Sequence, residues 1–196
     1  MDDYKLIRVT LNSNNKLDIK NPTKLTHVGM GGQGAVFKID DFRCIKVYHD
    51  NNMALAEQNA YLKTLGSPIM PKLYEMGDKY IIIEYIGTRN LKDYLLEKGK
   101  VPENIAQELI KMFKEMERLS FLRRDESLRH ILLNEKDKIK IIDHVYAFTL
   151  YNPMPVKLFK QLNEIGMLKS FIQQGKSQEP KLFKEFSEKM PMYFLD

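Results

Sequence analysis

The sequence predicts an α+β fold in two parts, an antiparallel β half up to about residue 86 and a mainly helical half from residue 87 onward. Three observations carry this. Short apolar runs at 24–28, 35–39 and 42–48, joined by tight glycine and aspartate turns, read as consecutive antiparallel strands. A polar break at Gly87 ends a last apolar run, Ile81 to Ile86, and is the lobe boundary that the chain offers. Beyond Pro102, apolar residues recur at helical spacing (Ile105, Leu109, Met112, Phe113, Met116, Leu119).

Composition narrows the function classes. At 196 residues the chain can form one domain of two lobes, or two small domains, each with a modest core. Its net charge of +5 is mild and both signs are interspersed, which favours anionic small ligands over nucleic acid. No basic stretch is interleaved with aromatics as a single-strand groove requires. The start, Met1-Asp2-Asp3-Tyr4-Lys5, has no apolar leader, and no run approaches a membrane span. Cys44 is the single cysteine, which excludes an internal disulfide and a cysteine zinc cluster. The expected location is cytoplasmic, with no membrane segment and no nucleic-acid partner.

Taken in order, residues 1–23 read as a polar N-terminal extension with at most one short strand, Tyr4 to Leu11. A single domain is expected over 24–196, its β lobe at 24–86 and its helical lobe at 87–196. Asn51-Asn52 reads as the cap of a helix from Met53 to Leu65, closed by Gly66 and Pro68. Two strands follow at 71–76 and 80–86, then a short helix from Leu91 to about Glu97. Pro102 opens the longer helix, where its missing N–H costs nothing. Short strands are expected at 131–133 and 139–142, and two amphipathic helices in 154–194, the first through Val156, Phe159, Leu162 and Ile165.

The chemistry concentrates in a few places. Gly29, Gly31, Gly34 and Val36 spell G-x-G-x-x-G-x-V. A loop without Cβ atoms can take positive φ and bring its N–H groups close to phosphate oxygens. Lys46 on the next strand would direct a compact positive charge at the same phosphates. Glu57 is a lone carboxylate in an apolar and amide run, so facing inward it needs a partner, and Lys46 is the obvious one. Asp143 ends a buried run, a costly place for an acid unless it is paired or binds a metal. His27 and His49 read as ordinary surface residues, and Cys44 as a small buried hydrophobe.

In this order and spacing the features resemble a protein kinase. Gly29 to Val36 is similar to the glycine-rich loop, Cys44-Ile45-Lys46 to the Ala-x-Lys strand, and Glu57 to the helix-C glutamate. Glu84-Tyr85-Ile86-Gly87 is similar to the hinge, with Ile83 as gatekeeper. Arg124-Asp125 resembles the catalytic-loop Arg-Asp, and Asp143 the metal-binding acid of Asp-Phe-Gly. The likeness covers about two-thirds of the chain, and six motifs in register are far more specific than one.

The resemblance implies a two-lobed kinase-like fold with a truncated helical lobe, and ATP with Mg²⁺, or Mn²⁺, as cofactors. Lys46, held by Glu57, would clamp the α- and β-phosphates, and Asp125 would take or orient the proton of the attacking hydroxyl. Val36, Cys44 and Leu132 would enclose the adenine while backbone groups from Glu84 to Ile86 read its edge. Asp143 would hold the metal, with His130 beside it. The implied acceptor is a Ser or Thr hydroxyl of an unidentified protein substrate.

The chain departs from the family pattern at informative places. His130 stands where the family has a metal-binding Asn, and Ser127 where serine/threonine kinases carry Lys. Arg123 replaces the His of His-Arg-Asp, and Asp143-His144-Val145 replaces Asp-Phe-Gly. No Ala-Pro-Glu follows, and about fifty residues remain after Asp143, so a full activation segment with all substrate-binding helices is not expected. In brevity the chain resembles RIO-like and other minimal, bacterial-type kinases. Imidazole suits transition metals better than an amide oxygen does, so a preference for Mn²⁺ over Mg²⁺ is expected. Two alternatives remain: a pseudokinase that binds a nucleotide or partner without turnover, and a small-molecule kinase. The latter usually carries His-Gly-Asp, which Arg123-Arg124-Asp125 is not.

Overall fold

A computed structural model describes residues 3–195. Met1 and Asp2 of the expected extension, and Asp196, lie outside the described residues. The chain divides into two compact units, one ending at Thr88 and the other beginning at Arg89.

The first unit is built on strands β1 (Arg8–Leu11), β2 (Leu17–Lys20), β3 (Thr26–Gly31), β4 (Gly34–Lys38) and β5 (Arg43–Tyr48). Helix α1 (Asn51–Lys63), β6 (Leu73–Gly77) and β7 (Tyr80–Glu84) complete it. The five strands β3 to β7 form one antiparallel sheet in the order β3-β4-β5-β7-β6. Asp40 closes the β4–β5 turn by accepting from the amides of Phe42 and Arg43.

The N-terminal stretch differs from expectation. It is an antiparallel hairpin, β1 on β2, whose Ile7 and Val9 enter the same core as Ala35, Phe37, Ile45, Val47 and Ile82. The asparagines make the turn: the Asn12 side chain accepts from the amides of Asn14 and Lys16, and Asn15 takes φ 56°. Asn is among the few non-glycine residues that adopt this conformation readily.

Helix α1 starts two residues earlier than expected, because the Asp50 side chain, accepting from the Met53 amide, is its N-cap. Its buried face carries Ala54, Glu57, Gln58, Ala60 and Tyr61 and packs on β5 and β7. Gln58 hooks the helix to the β6–β7 turn by donating to the carbonyls of Gly77 and Tyr80.

The second unit holds α2 (Leu91–Lys98), α3 (Glu103–Arg118), the small hairpin β8 (Ile131–Leu133) with β9 (Ile139–Ile141), α4 (Val156–Glu164), α5 (Leu168–Gln178) and α6 (Pro180–Lys189). The apolar face of α3 is buried as its spacing predicts, against β9 and α5. Three helices rather than two occupy the C-terminal region. The unexpected one is α5, where Gly175 interrupts a polar run. A Cβ there would collide with the Phe183 ring, so the glycine lets α6 approach closely. Phe113, Phe159, Phe171, Phe183 and Phe186 meet edge to face around that contact.

Candidate active site

In the first unit the site is set by strand alternation. On β5, Cys44, Lys46 and Tyr48 share one face, while Ile45 and Val47 turn into the opposite core. Lys46 lies directly across from Val36 on β4 and Ile81 on β7, and Cys44 across from Ile83. Val36, Cys44, Lys46 and Ile83 are therefore brought to one face. Lys46 Nζ donates to Glu57 Oε2 at 2.6 Å and to Gln33 Oε1 at 3.2 Å. The Tyr48 hydroxyl donates to the same Glu57 oxygen at 2.8 Å. The Glu57 side chain is 1% exposed and Lys46 12%, so the pair is nearly dry.

The glycine loop is a hairpin turn between β3 and β4. None of Gly29, Gly31, Gly32 and Gly34 takes positive φ, contrary to the expected reason for them. Gly34 is required for a different reason: a Cβ would strike the Val47 carbonyl. Gly31 and Gly32 face open space, where backbone can approach a ligand. Gly87 does take a left-handed φ of 89°, at the end of the unit.

At the hinge stretch, the Glu84 amide donates to Lys72 and the Tyr85 amide to Phe42. Among the described residues the Ile86 amide has no such bond. Cys44 Sγ lies 3.9 Å from the Glu84 carbonyl, and burial pushes its thiol up to about 12. It stays a protonated, inert thiol at neutral pH.

In the second unit Leu132 is half-buried on β8, and the remaining site residues sit on the loops around β8 and β9. Asp125 is buried. Its Oδ1 accepts from the Lys157 amide at 2.6 Å and its Oδ2 from Asn152 Nδ2 at 3.0 Å. The acid thus caps α4, whose own Pro155 offers no side-chain cap. Burial pushes the Asp125 carboxyl above the ordinary aspartate range, against the pull of the Lys157 and Leu158 amides, the Asn152 side chain and Arg123. Ser127 does not act as a free loop residue: its hydroxyl bonds Gln161 on α4, which also accepts from the Leu128 amide.

Asp143 follows β9 with φ 73°, a left-handed conformation that costs a non-glycine residue about 1–3 kcal/mol. His130 is brought to it, with Nδ1 at 3.7 Å from Asp143 Oδ2 and 3.9 Å from Glu126 Oε2. Among the described residues no group of three or more His, Cys, Asp or Glu side chains is arranged to hold a metal ion by itself. Sequence reasoning overlooked Gln33, Tyr48, Glu126, Asn152 and Gln161. Only Tyr48 had a local signal, two residues beyond Lys46 on the same strand face.

No protein-family model matches the chain. Individual proteins do. The chain is 26% identical over 125 residues to "Putative serine/threonine-protein kinase YrzF" of Bacillus subtilis, across 61% of this chain and 58% of that one. It is 27% identical over 136 residues to "Probable serine/threonine-protein kinase CPE1738" of Clostridium perfringens, across 59% of this chain and 20% of that one. A stretch of 90 residues is 32% identical to "SNF1-related protein kinase catalytic subunit alpha KIN12" of Arabidopsis thaliana, across 42% of this chain and 18% of that one. The matched region is thus little more than half of the first relative and about a fifth of the other two. No helix among the described residues is long and apolar enough to cross a membrane. In its α+β architecture and its lysine–glutamate pair, and through these relatives of modest identity, the chain is similar to the protein kinase-like superfamily.

Proposed function

We propose that the chain transfers the γ-phosphoryl group of ATP to a Ser or Thr hydroxyl of a protein, as a minimal kinase. The observation that carries this reading is the Lys46–Glu57 pair at 2.6 Å, braced by Tyr48. A dry lysine held this firmly is a preorganised cation for phosphate, and such positioning is most of what phosphoryl transfer asks of a protein. Gly31 and Gly32 offer open backbone to the phosphates, Val36 and Cys44 an apolar wall to the base, and the Ile86 amide a donor to its edge.

Asp143, partly exposed, fits a hard cation, since Mg²⁺ in such sites is held by one or two carboxylates together with phosphate oxygens. When bound, the metal neutralises phosphate charge. In the transfer itself, the acceptor oxygen forms the new bond to the γ-phosphorus while the bond to the ADP oxygen breaks. The hydroxyl proton passes to Asp125, whose raised pKa suits it to receive one.

A second reading, nucleotide binding without turnover, is favoured by one observation: Ser127, where a lysine would assist transfer, is tied to Gln161. Incubation with γ-labelled ATP and Mg²⁺ or Mn²⁺, with and without a generic protein acceptor, separates the two. Label on the acceptor supports transfer. Bound nucleotide without label supports the second reading, and no binding removes both.

A further inference from the structure

One buried polar group in the second unit that the proposed reaction does not use is Glu126. Its side chain is 2% exposed, and Oε2 is buried with no hydrogen-bond partner. An orphaned carboxylate oxygen in that position is costly, because it has given up its water without gaining a bond. The nearest complementary atom is equally unsatisfied: His130 Nδ1, also buried without a bond, 3.9 Å away. The same nitrogen faces Asp143 Oδ2 at 3.7 Å. The His130 side chain as a whole is 31% exposed, so the exposure belongs to the rest of the ring.

We propose that Glu126 is a positioning residue, which fixes His130 with its hydrogen on Nδ1 so that the ring orients the Asp143 carboxylate rather than ligating a metal. The geometry follows from charge. A bare Nδ1 lone pair aimed at two carboxylate oxygens is repulsive, whereas Nδ1–H is attracted to both. Either acid comes within hydrogen-bond range if the ring shifts by roughly half an ångström to one ångström. Carboxylate–histidine pairs that fix a tautomer are a recurrent means of orienting a metal site from behind its ligands. Backbone contacts hold the frame: the His130 amide donates to Ser127, and the Ile142 amide to the His130 carbonyl. This ties the loop to the segment that presents Asp143, whose left-handed backbone needs such support.

The inference rests on the proposed phosphotransfer reading for its purpose but not for its test. Nitrogen-15 NMR of the full chain without metal or nucleotide reads the His130 tautomer directly. The expected spectrum has a protonated Nδ1 and a bare Nε2. In Glu126→Leu, which replaces a buried orphan acid by an apolar group of similar size, the tautomer should become mixed while thermal stability holds or rises. Affinity for Mn²⁺ with ATP, read by electron paramagnetic resonance, should fall about tenfold. Glu126→Gln, which can still accept from Nδ1–H, should restore most of it. Nitrogen-15 hyperfine coupling from His130 to bound Mn²⁺ should be absent. A bare Nδ1 in the wild type, a direct His130–Mn²⁺ coupling, or a Glu126→Leu protein with unchanged tautomer would each overturn the proposal. Failure of the kinase reading alone would show as no Mn²⁺–ATP binding with the Nδ1–H tautomer intact.

Discussion

The two units carry their charged groups in opposite ways. In the first, Lys46, Glu57, Tyr48 and Gln33 form a connected set in which hydrogen bonds of 2.6–3.2 Å reach the buried acid from two sides. Lys46 and Tyr48 stand on a strand and Glu57 on a helix, with Gln33 in the glycine turn, and neighbouring strands fix β5 on both edges. In the second, Asp125, Glu126, His130 and Asp143 stand on loops, and two of their buried polar atoms have no bond. Under the proposed function, the contrast separates two tasks. A phosphate-binding cation works best when it is immobile before the ligand arrives. Under that reading a partly exposed Asp143 can meet a metal, while Asp125 is held by the Lys157 amide of helix α4 and by Asn152.

That contrast can be broken first at Lys46. Lys46→Met removes the cation that pairs with the buried Glu57 and leaves the Tyr48 hydroxyl bond in place. Losing one partner of a buried pair costs roughly 3–5 kcal/mol, so urea unfolding should show a loss of that order. A loss below about 1 kcal/mol would mean that the pair is solvated in solution, as exposed pairs are. Tyr48→Phe should cost about 1.5–3 kcal/mol, the range for a hydrogen bond to a charged group. An unchanged midpoint in the same urea experiment would remove Tyr48 from the set.

Asp125 is predicted to matter twice. Asp125→Ala removes the cap of α4 and should cost about 0.5–2 kcal/mol apart from any effect on transfer. The pH dependence has a definite sign. Burial raises the folded pKa above the unfolded 3.8. The acid's stabilising contribution is then complete below 3.8 and is lost as pH rises through the folded value. Asp125→Asn does not titrate, so its stability relative to wild type should improve as pH rises across that window and then level off. Melting curves of both proteins from acid to neutral pH test this, and parallel curves would contradict it. The smallest effect is at Cys44, where a thiol with a pKa of about 12 should resist iodoacetamide at neutral pH and react once unfolded. Rapid native alkylation would place it on an open surface instead.

How much the sequence revealed follows from distance along the chain. Lys46 and Glu57 are legible because each is anomalous locally, a lysine in a β-branched run and an acid in an apolar helix. The bonds that hold Asp125 come from Asn152 and Lys157, with no pattern near Asp125 to announce them. Glu126 reads as one more charge in a charged loop until its burial is known. The N-terminal hairpin was hidden by its own turn, since four asparagine and serine residues look like disorder unless the Asn12 side chain is seen closing them. Helix α5 was hidden by Gly175, whose purpose is a contact with Phe183.

The central claim, that the glycine loop, Lys46 and Asp143 together bind ATP with a metal, is tested most directly by a thermal-shift titration of the full chain with ATP and Mg²⁺. Asp143→Asn belongs beside the wild type, because Asn tolerates the left-handed backbone at that position and the variant should fold. Ligand at a hundredfold over its Kd should stabilise the wild type by about 2.7 kcal/mol. Most of that shift should vanish in Asp143→Asn and in Lys46→Met, each read against its own unliganded melting point. A wild type that does not shift at saturating ATP and Mg²⁺ would contradict the account, as would a shift that both variants retain in full.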